Sequence, residues 1–300
     1  MTAVQIVEVS LRDGLQNESV MLSTADKIRL AGQLADAGAQ RIEAVSFVHP
    51  KWVPAMADAE AVMAGIDRID GVSYSGLVVN RRGLDRALAA EMDEINVVVC
   101  ASDTFSRRNQ NMSTQDAVRE AVEVVATARE AGVFTTLTVA TAFGCPFEGE
   151  VPPDAVINVV GAAHAAGADE VCLADTIGVG VPSQVADLYM RSKQVMGEVP
   201  LRFHFHDTRH TGIANAHEAV RVGASALDAS VGGIGGCPFA PRATGNIATE
   251  DLIYLLDRSG ISQTMRIEPT IAIADELEQL LGEVLPSALQ KAGGFPPRAS

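Results

Sequence analysis

Short apolar stretches alternate with longer amphipathic ones along the whole chain. Eight apolar runs predict β-strands, at residues 6–10, 41–47, 72–79, 94–100, 134–141, 170–174, 201–206 and 226–230. Between them, hydrophobic positions recur with helical spacing, as at residues 24–37, 114–131, 153–166, 183–196 and 211–222. Several of these predicted helices stop at a glycine, which tolerates the positive φ that often follows a helix.

This alternation is typical of an α/β protein, and eight βα units predict a (β/α)8 TIM barrel. A doubly wound open sheet is the alternative. That fold usually carries a glycine-rich phosphate loop after its first strand, and this sequence has none there. Residues 268–285 predict one additional C-terminal helix. We expect a single catalytic domain over residues 1–290 and a flexible tail at residues 291–300.

The composition narrows the class of protein further. Of the 300 residues, 47% are hydrophobic and 20% are charged, which allows a large core, yet no apolar run approaches the roughly 20 residues that span a bilayer. The formal net charge of −15 argues against nucleic acid or an anionic membrane as a partner. The N-terminus lacks the features of a signal peptide, so we expect a cytoplasmic protein. Its four cysteines form no CxxC pair.

Polar residues gather where the predicted strands end. In a TIM barrel the C-terminal ends of the strands form one rim, which holds the active site. The residues at this predicted rim are Arg12 and Asp13 after strand 1, Glu43 and Ser46 in strand 2, Asp175 and Thr176 after strand 6, His206 and Asp207 after strand 7, and Cys237 and Asn246 in the glycine-rich segment after strand 8. Their convergence predicts a single site.

His204 and His206 are the most informative pair in the sequence. Side chains alternate between the two faces of a strand, so these imidazoles point the same way, roughly 7 Å apart, while Phe203 and Phe205 point into packing. Two such imidazoles can hold one metal ion if other elements supply further ligands. Packing without any ligand is the alternative for an isolated pair of this kind.

Seven segments in order along about 240 residues resemble the 3-hydroxy-3-methylglutaryl-CoA (HMG-CoA) lyase family of the DRE-TIM metallolyase superfamily. They are residues 12–18, 43–54, 144–149, 175–180, 204–208, 235–240 and 245–251. The last two segments point to the lyase branch. The segments around Arg12 and His204 also suit related synthases and aldolases.

The resemblance implies a divalent metal, Mg²⁺ or Mn²⁺, held by Asp13, His204, His206 and Asn246. It further implies retro-Claisen cleavage of HMG-CoA to acetyl-CoA and acetoacetate. In that reaction Arg12 stabilises the thioester enolate, Cys237 protonates it, Glu43 orients the Arg12–Asp13 pair, and His204 is a second candidate for proton transfer. An acyl-CoA substrate and a homo-oligomer are the expected partners. The substrate contacts expected from the rim and from the segment after strand 4 are Arg12, Gln16, Ser46, Thr176 and Asn109.

Some positions hold residues that differ from those usual in the family. They belong to the part of the site expected to bind the acyl group, and the expected metal ligands are unchanged. These positions are Thr138, Ala140, Cys172, Arg209 and Arg242. The same chemistry on a different 3-hydroxyacyl-CoA thioester is therefore a second hypothesis. A chain-extending acyltransferase or aldolase of the superfamily and a catalytically inactive barrel are further alternatives. The pathway, whether leucine breakdown or that of another branched acid, stays open.

Overall fold

The computed structural model describes residues 3–236 and 245–296. Eight parallel strands follow one another around a closed barrel, each paired with its neighbours in the sequence, and β1 pairs with β8. The strands are β1 Gln5–Glu8, β2 Arg41–Ser46, β3 Ser73–Val78, β4 Glu94–Cys100, β5 Phe134–Ala140, β6 Glu170–Asp175, β7 Leu201–Phe205 and β8 Ala226–Ala229. The fold is a TIM barrel, so the predicted architecture is confirmed and the open sheet is excluded.

Helices cover the outside of the barrel. They are α1 Thr24–Asp36, α2 Ala59–Gly65, α3 Arg81–Ala89, α4 Asp103–Gln110, α5 Thr114–Glu130, α6 Pro153–Ala166, α7 Pro182–Met196, α8 Gly212–Val222, α9 Thr249–Arg258, α10 Ile267–Leu281 and α11 Leu289–Ala292. Ser23 and Ser113 begin α1 and α5 by accepting N–H groups of the first turn. Within residues 3–236 and 245–296, none of the helices combines the length and the hydropathy of a membrane span.

The C-terminal part is more helical than the sequence indicated. The helix predicted at residues 268–285 is α10, which ends at Leu281. A separate helix, α9, completes the eighth βα unit and follows the segment that contains Asn246. The short helix α11 crosses the expected boundary between domain and tail at residue 290. The single domain over 1–290 with a tail at 291–300 stays a prediction.

Apolar side chains fill the space between the strands and the helices. Ile42, Leu137, Phe203 and Leu227 are all buried there, one from each of four strands. They alternate with residues that face the inside of the barrel, as the period-2 geometry of a strand requires. The main hydrophobic core therefore surrounds the barrel and leaves its interior for other side chains.

Charged side chains fill the floor of the barrel, at the N-terminal ends of the strands. Arg41, Glu94 and Glu170 are the first residues of β2, β4 and β6, the alternate strands that supply one layer of a TIM-barrel interior. Arg41 donates through Nη2 to Glu94 Oε2 at 2.7 Å and through Nη1 to Glu170 Oε1 at 2.9 Å. The guanidinium group thus donates hydrogen bonds to two buried carboxylates at the same time.

Glu8, the last residue of β1, joins the two chain segments that later form the site. Its Oε1 accepts the backbone N–H groups of Ser10 at 2.9 Å and Val231 at 3.1 Å, and its Oε2 accepts Thr249 Oγ1 at 2.5 Å. The segment after β1 is thereby held against the segment after β8 and the start of α9. Residues 12–13 and Asn246 come together for this reason.

Candidate metal centre and active site

Ligand atoms of Asp13, His204 and His206 lie within 4.8 Å of one another at the C-terminal end of the barrel. The His204 and His206 rings are 5.1 Å apart between centroids and face the same way. Phe203 and Phe205 stack on the opposite face at 5.5 Å and are buried. Nε2 of His204 and Nε2 of His206 lie 3.7 Å and 3.8 Å from Asp13 Oδ2. All three residues therefore surround one small volume.

Asn246 reaches the same volume from the segment after β8. It pairs with His206 in an isolated β-bridge, and its Nδ2 donates to Asp13 Oδ2 at 2.9 Å and to Ile234 O at 3.0 Å. Gly235 allows this approach, because a Cβ there would lie 2.7 Å from Asn246 Nδ2. The structure thus brings together all four residues that the resemblance assigned to a metal.

The donor set fits a divalent cation. Asn246 Oδ1 and His206 Nδ1 are buried and have no hydrogen-bond partner within the described part of the chain. A buried polar atom without a partner is costly, and an amide oxygen beside a carboxylate and two imidazoles has the chemistry of a ligand. Oxygen and nitrogen donors without thiolate suit Mg²⁺ or Mn²⁺ better than structural zinc.

The Arg12–Asp13 pair lies in a π-helical turn, Ser10–Gly14, which follows β1 directly. The strand had been expected to continue to residue 10, but the N–H groups of Asp13 and Gly14 both turn back to Val9 O. Arg12 donates from Nε to Glu43 Oε2 at 2.7 Å and from Nη1 to Asp13 Oδ1 at 2.6 Å. One guanidinium therefore bridges the two carboxylates.

Asp13 is held in its charged form. Burial alone would raise the pKa of its carboxyl, but the positive charge of Arg12 and a hydrogen bond from His206 outweigh that effect and hold the pKa well below its ordinary value of 3.8. A carboxylate that stays ionised at neutral pH is ready to bind a cation without first losing a proton.

A chain of hydrogen bonds supports Arg12 from behind. Asn96 Nδ2 donates to Glu43 Oε1 at 2.8 Å, and Thr138 Oγ1 donates to Asn96 Oδ1 at 2.7 Å. The chain runs from β5 through β4 to β2 inside the barrel and ends at the guanidinium. Thr138, expected as an altered wall residue, thus has its hydroxyl hydrogen directed at Asn96.

We expect Asn96→Leu to lower the free energy of unfolding by about 1–3 kcal/mol, because it leaves a buried carboxylate oxygen and a buried hydroxyl without partners. Urea unfolding monitored by circular dichroism measures this. Thr138→Val breaks only the far end of the chain and should cost less. Equal unfolding midpoints for Asn96→Leu and the wild type would contradict the supporting role of the chain.

The structure shows no contact between the other expected site residues and the ligand cluster among the contacts of the described chain. Thr176 Oγ1 accepts the N–H of Thr141 at 2.8 Å, and Ser46 Oγ accepts the N–H of Val48 at 3.3 Å. Gln16 is half-buried, and its Oε1 has no partner among the described residues. Asn109 is exposed near the end of α4.

Asp175 organises a loop rather than pointing at the ligand cluster. Its Oδ1 accepts the N–H of Val179 at 2.9 Å and its Oδ2 accepts the N–H of Gly180 at 2.8 Å. Arg209 is exposed and donates from Nη1 to Gly178 O at 2.8 Å. Both residues therefore shape the segment that follows β6.

Cys172, one of the departures from the family pattern, lies inside the barrel. It is completely buried, and burial raises the pKa of its thiol to about 12. It is therefore a neutral thiol rather than a nucleophile. Cys237 and Arg242 lie outside the described residues.

Sequence reasoning missed Asp228, Arg202 and Asn96. Arg202 precedes His204 by two positions on β7, so strand alternation could have placed it on the same face. Asp228 and Asn96 are polar residues in otherwise apolar strands, which is a signal that their side chains meet partners inside the barrel.

Glu250, in the first turn of α9, accepts the N–H of Gly232 in the segment after β8 at 3.1 Å. Burial raises the pKa of its carboxyl from 4.5 to about 7. The native state therefore binds this proton more tightly than the unfolded chain does. Its stabilising contribution is complete below pH 4.5 and is lost as the pH rises to about 7.

We therefore expect Glu250→Gln to remove a pH-dependent loss of stability on the order of 3 kcal/mol between pH 4.5 and 7. The unfolding free energies of the wild type and the variant, measured across this range, should converge at the acidic end. The variant should be the more stable protein at the alkaline end. A constant difference between the two curves would refute the assignment.

Taken together, the closed barrel and the ligand cluster at its C-terminal rim define the class of TIM-barrel enzymes that work with a divalent metal. The HMGL-like family model matches residues 3–277. The chain belongs to the HMGL-like family.

Individual relatives agree with this assignment. A hydroxymethylglutaryl-CoA lyase of Bacillus subtilis is 42% identical over 95% of each chain. An (R)-citramalyl-CoA lyase of Chloroflexus aurantiacus is 40% identical over 99% of this chain and 97% of the relative. A solved structure of an HMG-CoA lyase from Acinetobacter baumannii in complex with coenzyme A and 3-methylmalate superposes with a TM-score of 0.94 at 40% identity, covering 99% of this chain and 98% of that one.

Proposed function

We propose that this protein is a divalent metal-dependent carbon–carbon lyase that cleaves HMG-CoA to acetyl-CoA and acetoacetate. The observation that carries the proposal is the convergence of Asp13, His204, His206 and Asn246 at the barrel rim, directly beside Arg12. The identity of 42% with the hydroxymethylglutaryl-CoA lyase of B. subtilis over nearly the whole chain supports it.

Those four residues would hold Mg²⁺ or Mn²⁺ through one carboxylate, two imidazoles and an amide oxygen. When bound, a divalent cation supplies a Lewis acid that polarises substrate oxygens. The chain itself keeps Asp13 ionised through Arg12 and holds Asn246 in place through Ile234 O.

Arg12 is proposed to bind the thioester oxygen of the substrate. A base takes up the hydroxyl proton, the alkoxide becomes the keto group of acetoacetate as the C–C bond breaks, and the electron pair of that bond moves to the thioester enolate. A guanidinium beside the enolate oxygen stabilises its charge. Arg12 is always charged, and Glu43 fixes its Nε edge at 2.7 Å. Its orientation is therefore set before the substrate arrives.

Cys237 is proposed to complete the reaction by donating a proton to the enolate carbon, which yields acetyl-CoA. This role rests on the resemblance and on its place shortly after Gly235, which packs against Asn246 and the backbone of Asp13. His204 is proposed to bind the metal rather than to transfer a proton, because with Nε2 on the cation and Nδ1 at 3.1 Å from Asp228 Oδ2 neither ring nitrogen would be free.

The acyl-CoA substrate would enter from the C-terminal rim. Gln16, Ser46 and Thr176 are proposed to contact the acyl part, and Gln16 has an oxygen without a partner in the described chain. We propose that Asn109 and the neighbouring Arg108 contact the CoA part of the substrate. The Arg108 guanidinium stacks on the Phe147 ring at 4.1 Å. A homo-oligomer and a cytoplasmic location stay predictions.

A second candidate substrate is a related 3-hydroxyacyl-CoA thioester such as citramalyl-CoA. One observation favours it, namely the identity of 40% with the (R)-citramalyl-CoA lyase of C. aurantiacus. The same set of metal and arginine residues would serve both reactions.

The test is a comparison of kcat/KM for HMG-CoA and citramalyl-CoA with Mn²⁺ present, with acetyl-CoA and the released oxo acid both quantified. A higher kcat/KM for HMG-CoA supports the first assignment, and a higher value for citramalyl-CoA supports the second. Consumption of acetyl-CoA with a 2-oxo acid, without either cleavage, would indicate a chain-extending acyltransferase instead.

A further inference from the structure

Asp228 in β8 lies directly behind His204, on the side away from the ligand cluster. Its Oδ2 is 3.1 Å from His204 Nδ1, and its Oδ1 forms an ion pair with Arg202 Nε at 3.2 Å. All three side chains are buried, with Asp228 only 4% exposed. The contact with Arg202 has no hydrogen-bond geometry, so charge attraction holds Oδ1 on one side while the hydrogen bond with His204 Nδ1 holds Oδ2 on the other.

This arrangement decides which nitrogen of His204 can bind a cation. A carboxylate accepts hydrogen bonds, so it selects the tautomer in which Nδ1 carries the proton. Nε2 then keeps a free lone pair, and Nε2 is the nitrogen that faces Asp13 Oδ2 at 3.7 Å. A metal ligand needs that lone pair, and a carboxylate behind the imidazole also increases its basicity.

We propose that Asp228, anchored by Arg202, is a positioning residue that presents Nε2 of His204 to the divalent cation. The inference rests on the proposed metal centre and extends it to two residues that do not touch the metal. It assigns a function to a buried ion pair that would otherwise be part of the barrel's internal packing alone.

Arg202 links this pair to the ionic floor of the barrel. Its Nη1 lies 3.4 Å from Glu170 Oε2, and Glu170 in turn pairs with Arg41. Arg202 is therefore held from below by Glu170 and holds Asp228 from the side. Burial alone would favour the neutral acid, and the charge of the neighbouring Arg202 offsets that effect and favours the charged carboxylate.

His206 provides an internal contrast. Its Nδ1 is buried, and no described residue accepts or donates a hydrogen bond there. Among the described residues, a carboxylate therefore lies behind Nδ1 of His204, and none lies behind Nδ1 of His206. The contribution of His204 to metal affinity should depend on Asp228, whereas that of His206 should not.

The experiment is a titration of the full-length, metal-free protein with Mn²⁺, followed by electron paramagnetic resonance of the unbound ion. Asp228→Asn keeps the volume of the side chain and removes its charge. We expect the Kd for Mn²⁺ to rise by about 10- to 100-fold in this variant. Glu94→Gln is the matched control, because it removes a charge from the same buried network without contact with a ligand, and its Kd should stay within about twofold of wild type.

A double-mutant cycle separates positioning from general damage to the barrel. In a His204→Ala background the added Asp228→Asn change should leave the residual Mn²⁺ affinity unaltered, because the imidazole through which Asp228 acts is gone. An equal loss in both backgrounds, or a Kd for Asp228→Asn within about twofold of wild type, would overturn the inference.

Neither readout depends on substrate, so the inference can fail while cleavage of HMG-CoA is still observed. Absence of Mn²⁺ binding in the wild type would overturn both the metal centre and this inference.

A second measurement needs no variant. Long-range ¹H–¹⁵N NMR of the Mg²⁺-saturated wild-type protein reports which nitrogen of each histidine carries the proton. We expect the proton of His204 on Nδ1. A proton on Nε2 would refute the assignment even if Asp228→Asn did not fold.

Discussion

Replacing Asp13 with asparagine is expected to abolish metal-dependent cleavage. The variant keeps the shape of the side chain but removes the only carboxylate in the ligand cluster and the charge that Arg12 stabilises. A Lewis-acid metal is worth several kcal/mol to a transition state, so a loss of roughly 4 kcal/mol would lower kcat/KM by about 10³-fold. Acetyl-CoA release from HMG-CoA and Mn²⁺ binding, measured on the same preparation, should both collapse.

The matched control is Asp103→Asn, which removes an exposed carboxylate from α4 without touching the cluster. Its kcat/KM should stay within about twofold of wild type, as expected for a surface change. If Asp13→Asn retained tight Mn²⁺ binding and most of its activity, Asp13 would not be a metal ligand.

Arg12→Lys should have the second largest effect. Lysine keeps the positive charge, but its compact ammonium cannot bridge Glu43 and Asp13 and still offer a donor to the substrate. Loss of one such donor from an oxyanion site typically lowers kcat by about 10²- to 10³-fold. We expect this loss in kcat, with a much smaller change in Mn²⁺ affinity because all four ligands remain.

Arg86→Lys serves as the control, since Arg86 contacts Glu60 and Phe47 O outside the site. An Arg12→Lys enzyme that cleaves at the wild-type rate would remove Arg12 from the mechanism. A parallel loss of metal affinity and kcat would mean that Arg12 acts mainly by positioning Asp13.

Much of this arrangement could be predicted because it depends on local periodicity. Each of the eight strands was expected within a few residues of its place, and the faces of Phe203 and His204 followed from the period of 2. The π-helical turn after β1 was not foreseen, since such turns are rare and this one depends on Glu8 meeting the segment after β8.

The features that could not be predicted depend on contacts between strands that are far apart in the sequence. Arg41 contacts Glu94 and Glu170 only when β2, β4 and β6 close around a common axis. No local sequence pattern predicts this layer of charged side chains inside the barrel. Asp228 and Arg202 each stand out as a polar residue in an apolar strand, but their ion pair forms only when β7 and β8 lie side by side, and either could have been an isolated polar residue. The eight βα units imply a helix after β8, and α9 fills that place, although the apolar pattern alone does not give its bounds.

The central claim is that a divalent metal at the rim of the barrel enables cleavage of HMG-CoA. The most direct test measures acetyl-CoA release from HMG-CoA by EDTA-treated protein before and after addition of Mg²⁺ or Mn²⁺, beside a folded His204→Ala variant. We expect no release without metal, restored release with it, and none from the variant. Equal release with and without metal, or full activity in His204→Ala, would contradict the account.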